Sequence, residues 1–128
     1  MFKRKRAPSE DQPQPNPLVE SDRIEGAAVY DLHERRIGTI KRLVLEKESG
    51  RAVYAIMSFG GFLGLHQRIH MIPWGQLHYR TALEGYAIQI DGAFLTEAPT
   101  LSGDDGLWPD RCHQKAVDDF WSPRTWGY

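Results

Sequence analysis

The side chains with chemical potential are few and scattered. Three of the five histidines, His66, His70 and His78, fall in one stretch, with His66 and His70 four apart. That spacing aligns ligands on a helix, but the segment leads into a strand pattern, where even spacing only places them on one face. A zinc site needs three or four ligands, and no Cys or carboxylate stands close by to complete one, so no metal is expected. Cys112-His113 has the composition of a nucleophile and its base. Neighbours on a helix, however, point about 100° apart, which does not set up proton transfer. That thiol is expected to be partly buried or inert. Asp104-Asp105 and Asp118-Asp119 have nothing near them to supply the burial that raises a carboxyl for acid catalysis. Ser58 lies inside a strand pattern, without the sharp turn that exposes a nucleophilic serine. Gly60-Gly61-Phe62-Leu63-Gly64 is glycine-rich like a phosphate cradle, but lacks both the Lys-Ser/Thr and the helix that such a loop requires. No catalytic constellation and no cofactor site emerges.

Other residues suit contact rather than chemistry. The glycines of that loop permit unusual φ in a hairpin connection. Phe62, Leu63 and Leu65 are then read as covering an open barrel end, or, left uncovered beside His66, as an apolar contact for another chain. Arg35, Arg36, Lys41 and Arg42 form the cationic cluster of the central segment. From Asp22 to Thr100 there are nine Lys plus Arg and nine Asp plus Glu, so this cluster is local and reads as a solvated hairpin tip. RNA-binding folds carry a broader basic stripe with stacking aromatics, so nucleic acid is not the expected partner. Trp108, Phe120, Trp121, Trp126 and Tyr128 make the C-terminal part the most aromatic. Each ring is worth about 1.5–3 kcal/mol if buried, so these residues are expected to pack on their own barrel or on a second copy.

The elements that must position these residues are short. The 128 residues suit one domain, and apolar residues at 41% supply a single modest core. A net charge of −1 gives no electrostatic argument for a polyanionic partner. One cysteine excludes an internal disulfide framework. Lys3-Arg4-Lys5-Arg6 is like the start of a signal peptide, but Ala7-Pro8-Ser9-Glu10-Asp11 stands where an apolar stretch belongs, and no run is long enough to span a bilayer. A cytoplasmic protein is expected, touching a membrane only peripherally if at all. Residues 1–21, with four prolines, read as a disordered basic arm. From residue 22 to 100, apolar runs alternate with turns. Ala27 to Tyr30, Ile37 to Leu45, Arg51 to Phe59, Ile69 to Trp74, His78 to Leu83 and Tyr86 to Ile90 predict six strands. Glu46 to Gly50 is the clearest hairpin turn, and Pro73 marks an edge or a strand end. Trp74 to Leu77 and Ala93 to Glu97 read as brief helical turns. Strands so joined predict an antiparallel sheet that curls into a barrel and hides its edges. Residues 101–128 comprise an acidic loop and a helix from Pro109 to about Trp121, with His113, Val117, Phe120 and Trp121 as its apolar stripe.

Within residues 18–99, several pieces occur in a telling order: Ile37-Gly38-Thr39-Ile40, Leu43-Val44-Leu45-Glu46, Gly50 through Ile56, Ser58 through Gly64, and Ile72-Pro73-Trp74. Together, with Gly38, Gly50, Gly60, Gly61, Gly64, Pro73 and Trp74 as fixed points, they resemble a PRC-barrel domain. The resemblance implies a small six-stranded antiparallel β-barrel, mainly all-β, with the short C-terminal helix as an addition. This domain is shared by the cytoplasmic part of the photosynthetic reaction-centre H subunit, the C-terminal part of the ribosome maturation factor RimM, and stand-alone bacterial members. It implies a non-catalytic interaction or assembly module that binds another protein or itself as a homodimer. The alternatives it raises are a ribosome or RNA-processing accessory and a peripheral component of a membrane complex. The residues such contacts would use are Phe62, Leu63, Leu65, His66, Arg35, Arg36, Arg42, Phe120, Trp121 and Trp126. Two features depart from the family pattern: His33-Glu34-Arg35-Arg36 replaces a glycine-bearing turn, and His66 follows the glycine loop where a small residue is usual.

Overall fold

The computed structural model describes residues 16–60, 68–101 and 111–122. Among the described residues, regular structure begins with a four-residue helix, α1 (Ser21–Ile24), which starts at the last residue of the expected arm and buries Ile24 beyond it. Six strands follow: β1 (Ala28–Tyr30), β2 (Arg36–Leu45), β3 (Ala52–Phe59), β4 (Arg68–Pro73), β5 (His78–Arg80) and β6 (Gly85–Ala87). Helix α2 (Arg111–Trp121) comes last; Pro109, its expected start, lies outside the described residues. Trp74–Gln76 and Gly92–Glu97 form 3-10 turns where brief helical turns were expected, and Thr81–Leu83 forms another.

The β2–β3 hairpin is the backbone of the sheet. Gly50 takes φ +77° at its turn, donating its N–H to the Glu46 carbonyl at 2.9 Å. Gly38 lies opposite Phe59, and a Cβ there would run into the Ser58 carbonyl, so the two strands approach as only glycine permits. The expected alternation along β2 is broken by a bulge that leaves Lys41 unpaired between Ile40 and Arg42, which adds local twist. Beyond it Leu43 and Val44 are both half-buried. On β3, five consecutive residues from Tyr54 to Ser58 are buried, so both faces of this strand are covered.

Two expectations are corrected by the sheet itself. Its order is β4-β3-β2-β1-β6-β5, and β1 and β6 run parallel, pairing Val29 with Tyr86 and Tyr30 with Ala87. The sheet is therefore mixed, not antiparallel throughout. The turns between successive strands are locally readable, but the β1–β6 pairing joins distant parts of the chain and leaves no turn signal. Nor does the sheet close into a barrel: among the described residues no ladder joins β4 to β5. β5 has only three residues, and the outer side of β4 is already taken. Thr100 bridges His70 there, and the Leu101 N–H donates to the Ile69 carbonyl at 2.9 Å. The sheet nevertheless rolls up. Trp74, just past β4, sets its ring against Tyr86 of β6 with centroids 5.5 Å apart, and one apolar cluster includes side chains from both ends.

Helix α2 packs on this sheet through Val117 and Trp121, both fully buried, with Phe120 half-buried beside them. Cys112 is one residue off that stripe and is exposed, so partial burial, one of the two expectations for this thiol, is overturned. The Tyr54 hydroxyl donates to the Asp118 carboxylate at 3.0 Å, and Gln76 Nε2 donates to the Trp121 carbonyl at 3.4 Å. Burial and the nearby Asp118 push the Tyr54 phenol up to about 12.

Candidate functional site

The β1–β2 turn is built around one buried carboxylate. Asp31 is 1% exposed, and its Oδ1 accepts the backbone N–H groups of His33 and Arg35 at 2.9 and 3.0 Å. Its Oδ2 accepts Arg35 Nη2 at 3.0 Å, Arg35 Nε at 3.2 Å and the Gly92 N–H at 3.1 Å. Burial alone pushes this carboxyl up, but the bonds from Arg35, Gly92 and His33 together outweigh it and hold Asp31 below the ordinary carboxylate range. Arg35 Nη2 also reaches Asp91 Oδ1 at 3.1 Å, and the His33 ring stands 3.3 Å from Asp91 Oδ2. Asp91 is held low too, first by the Ala93 N–H and then by Arg35. Glu34 takes φ +63°, the conformation for which a glycine is usual, and Arg80 of β5 donates to its carboxylate at 3.3 Å. The clasp thus locks a turn that lacks glycine and ties it to the segment after β6.

The clasp stands beside the open side of the sheet. β5 is last in the strand order, and all three of its residues are exposed. Tyr79 is 58% exposed and packs edge-on against Tyr86 at 5.3 Å. A groove of about 690 Å³ runs beside it, with Leu18, Val19, Tyr79 and Tyr86 among its walls and Arg23 and Glu84 at its rim. Leu18 and Val19 are 79% and 51% exposed. Burial, and then neighbouring Tyr79, push the Tyr86 phenol above its ordinary value.

The residues expected at a contact surface are dispersed. Phe62, Leu63, Leu65, His66, Gly61, Gly64 and Trp126 lie outside the described residues. Arg35 is committed to the clasp, whereas Arg36 and Arg42 are exposed on β2, Arg36 donating to Thr39 Oγ1 at 3.2 Å. Phe120 packs against the core, and Trp121 is 1% exposed within it, so this ring is core rather than surface. Gly60 has φ +69° at the end of β3, and Pro73 ends β4. His70 is buried in β4 while His78 is exposed on β5. Among the described residues no three His, Cys, Asp or Glu side chains are grouped to hold a metal, and no helix is long and apolar enough to cross a membrane. Sequence reasoning missed the clasp and the groove. Asp31, Arg35 and Asp91 were visible as charges, but their meeting depends on the β1–β6 pairing.

The family model of the PRC-barrel domain matches residues 18–94. The chain belongs to the PRC-barrel family. The match takes in β5, the clasp residues Asp31, Arg35 and Asp91, and the groove lining from Leu18 onward. No curated protein matches the chain. Among solved structures, a 16S ribosomal RNA processing protein, RimM, from Pseudomonas aeruginosa is similar at 20% identity with a TM-score of 0.40. That similarity covers 62% of this chain and 48% of the other, so this PRC-barrel chain spans about half of the RimM chain's length.

Proposed function

We propose that this PRC-barrel chain is a non-catalytic interaction module, and that a partner protein adds an extended segment along β5. The observation that carries this reading is the pairing of a strand edge that no described residue covers with an adjacent groove walled by exposed Leu18, Val19 and Tyr79. An added strand gains backbone hydrogen bonds from such an edge, while alternate side chains find apolar surface beside it. Exposed large apolar residues placed together, rather than singly, are what contact surfaces present.

Full-length protein carrying Leu18→Glu and Tyr79→Glu tests the reading against a control with Thr100→Glu on the opposite edge. In affinity capture from the native cell, with the mass of the purified complex determined, the double variant is expected to lose the partner and the control to keep it. The loss should be at least about tenfold in affinity. Equal retention by both variants overturns the reading. A captured species of the chain's own mass identifies the partner as a second copy. A ribosome-linked role draws instead on exposed Lys41, Arg42 and Arg36 of β2, and would appear as RNA affinity that falls steeply with salt.

A further inference from the structure

The opposite edge holds a buried histidine that neither the clasp nor the groove uses. His70 is 0% exposed, in the middle of β4. Its Nδ1 lies 3.1 Å from the Pro99 carbonyl, and a carbonyl accepts only, so the ring hydrogen is on Nδ1. Nε2 is then a bare lone pair, buried and with no hydrogen-bond partner among the described residues. The segment that His70 grips is the strap that covers β4. Thr96 accepts Arg68 Nη1 at 3.1 Å, Thr100 bridges His70, and Leu101 donates to Ile69 at 2.9 Å. These bonds, with Ala98 buried and Leu101 packed against the core, hold a seventh backbone segment on the sheet's edge.

We propose that His70 is an acid-operated latch: its protonation releases residues 96–101 from β4 and uncovers that edge. A second proton on the ring must go to Nε2, which is buried and has no acceptor among the described residues. The resulting cation would also feel Arg68, an exposed like charge on its own strand. From β3, the neighbour is the Phe59 ring, edge-on at 5.7 Å, and Met57 is paired opposite. From the strap, the Pro99 carbonyl is the bonded group, while Glu97 is exposed. Helix α2 also packs on β4, but its Asp118 is bonded to Tyr54, whose place on β3 alternates onto the face opposite Met57 and His70. Among the described residues no carboxylate is therefore bonded to the ring to neutralise it. Opening the strap gives the charged ring water on the side now closed by Pro99. Burial first, and Arg68 after it, hold His70 below its ordinary value of 6.5 against the opposing pull of Pro99. The sign follows: the closed strap is fully favoured above pH 6.5 and loses its advantage as pH falls towards the lowered value of the folded state.

Residue-resolved amide exchange between pH 7.5 and 5, corrected for the intrinsic rate, tests this on the full chain. Protection of the Leu101 amide should fall by about tenfold per pH unit below 6.5, as one coupled proton requires, while central β3 amides such as Ile56 stay protected. The dependence should vanish in His70→Gln and persist in His33→Gln, which removes the exposed histidine beside Asp91. Imidazole nitrogen shifts of the unaltered protein provide a measurement that needs no variant: at pH 7.5 they should report hydrogen on Nδ1 and a bare Nε2. Leu101 protection that is flat with pH, a pH dependence that survives in His70→Gln, or a ring charged at pH 6.5 with the strap still closed would each overturn the latch.

Discussion

The two edges of this sheet are finished differently. β4 has six residues, three of them buried in succession, and a strap of backbone lies along its outer side. β5 has three residues, all exposed, with no strand beyond it among the described residues. An unpaired edge attracts other chains, and proteins normally shorten it, charge it or cover it. Here the long edge is covered, and the short edge carries Tyr79 beside a groove lined by both apolar and polar residues. The contrast separates a covered side from an open one, and the open one is where the proposed contact would be made. It also explains why the core extends past the strap to α2, while the open side depends on a polar clasp for its shape.

Breaking the covered side should cost most. Trp121→Ala removes the largest fully buried side chain and should lower unfolding free energy by about 3–5 kcal/mol, read from urea midpoints at constant m. On the open side, Asp31→Ala leaves the N–H groups of His33, Arg35 and Gly92 without their acceptor, and about 2–4 kcal/mol should be lost. Because the Asp31 carboxyl is held below 3.8, its ionised form stabilises the fold fully above that pH. The gap between wild type and Asp31→Ala should therefore narrow as pH falls further through the lowered value. Tyr54→Phe removes only a bond to a solvent-facing carboxylate on α2 and should cost about 1 kcal/mol. The same substitution should abolish a phenol ionisation near 12 in an absorbance titration. The smallest effect belongs to the groove: Leu18→Glu should change stability by no more than about 0.5 kcal/mol while it weakens partner capture.

Much of this was readable in the residues themselves. Strand positions followed from alternation and from turns such as Gly50, and Val117 with Trp121 announced the buried stripe of α2. The bulge at Lys41 was not readable, because an inserted residue leaves composition unchanged while it shifts the pleat. The parallel β1–β6 pairing was hidden for a related reason: tight turns reveal antiparallel neighbours, and a long-range parallel contact has no local signature. From that pairing follows the meeting of Arg35 with Asp91, while the open order follows from the short β5 and the strap on β4. Arg35 and Arg36 look alike in sequence, yet one is held in the clasp and the other stands on the surface. The aromatic residue that matters on the open side, Tyr79, drew no notice within a strand only three residues long.

The unequal edges are tested most directly by amide hydrogen exchange at pH 7.5, read residue by residue along β4, its strap and β5. Leu101 should be protected by about 100-fold or more over an unstructured amide, and the outward-facing amide on β5 should exchange almost freely. Equal protection at both edges, or a free Leu101 beside a protected β5, would contradict the division into a covered side and an open one.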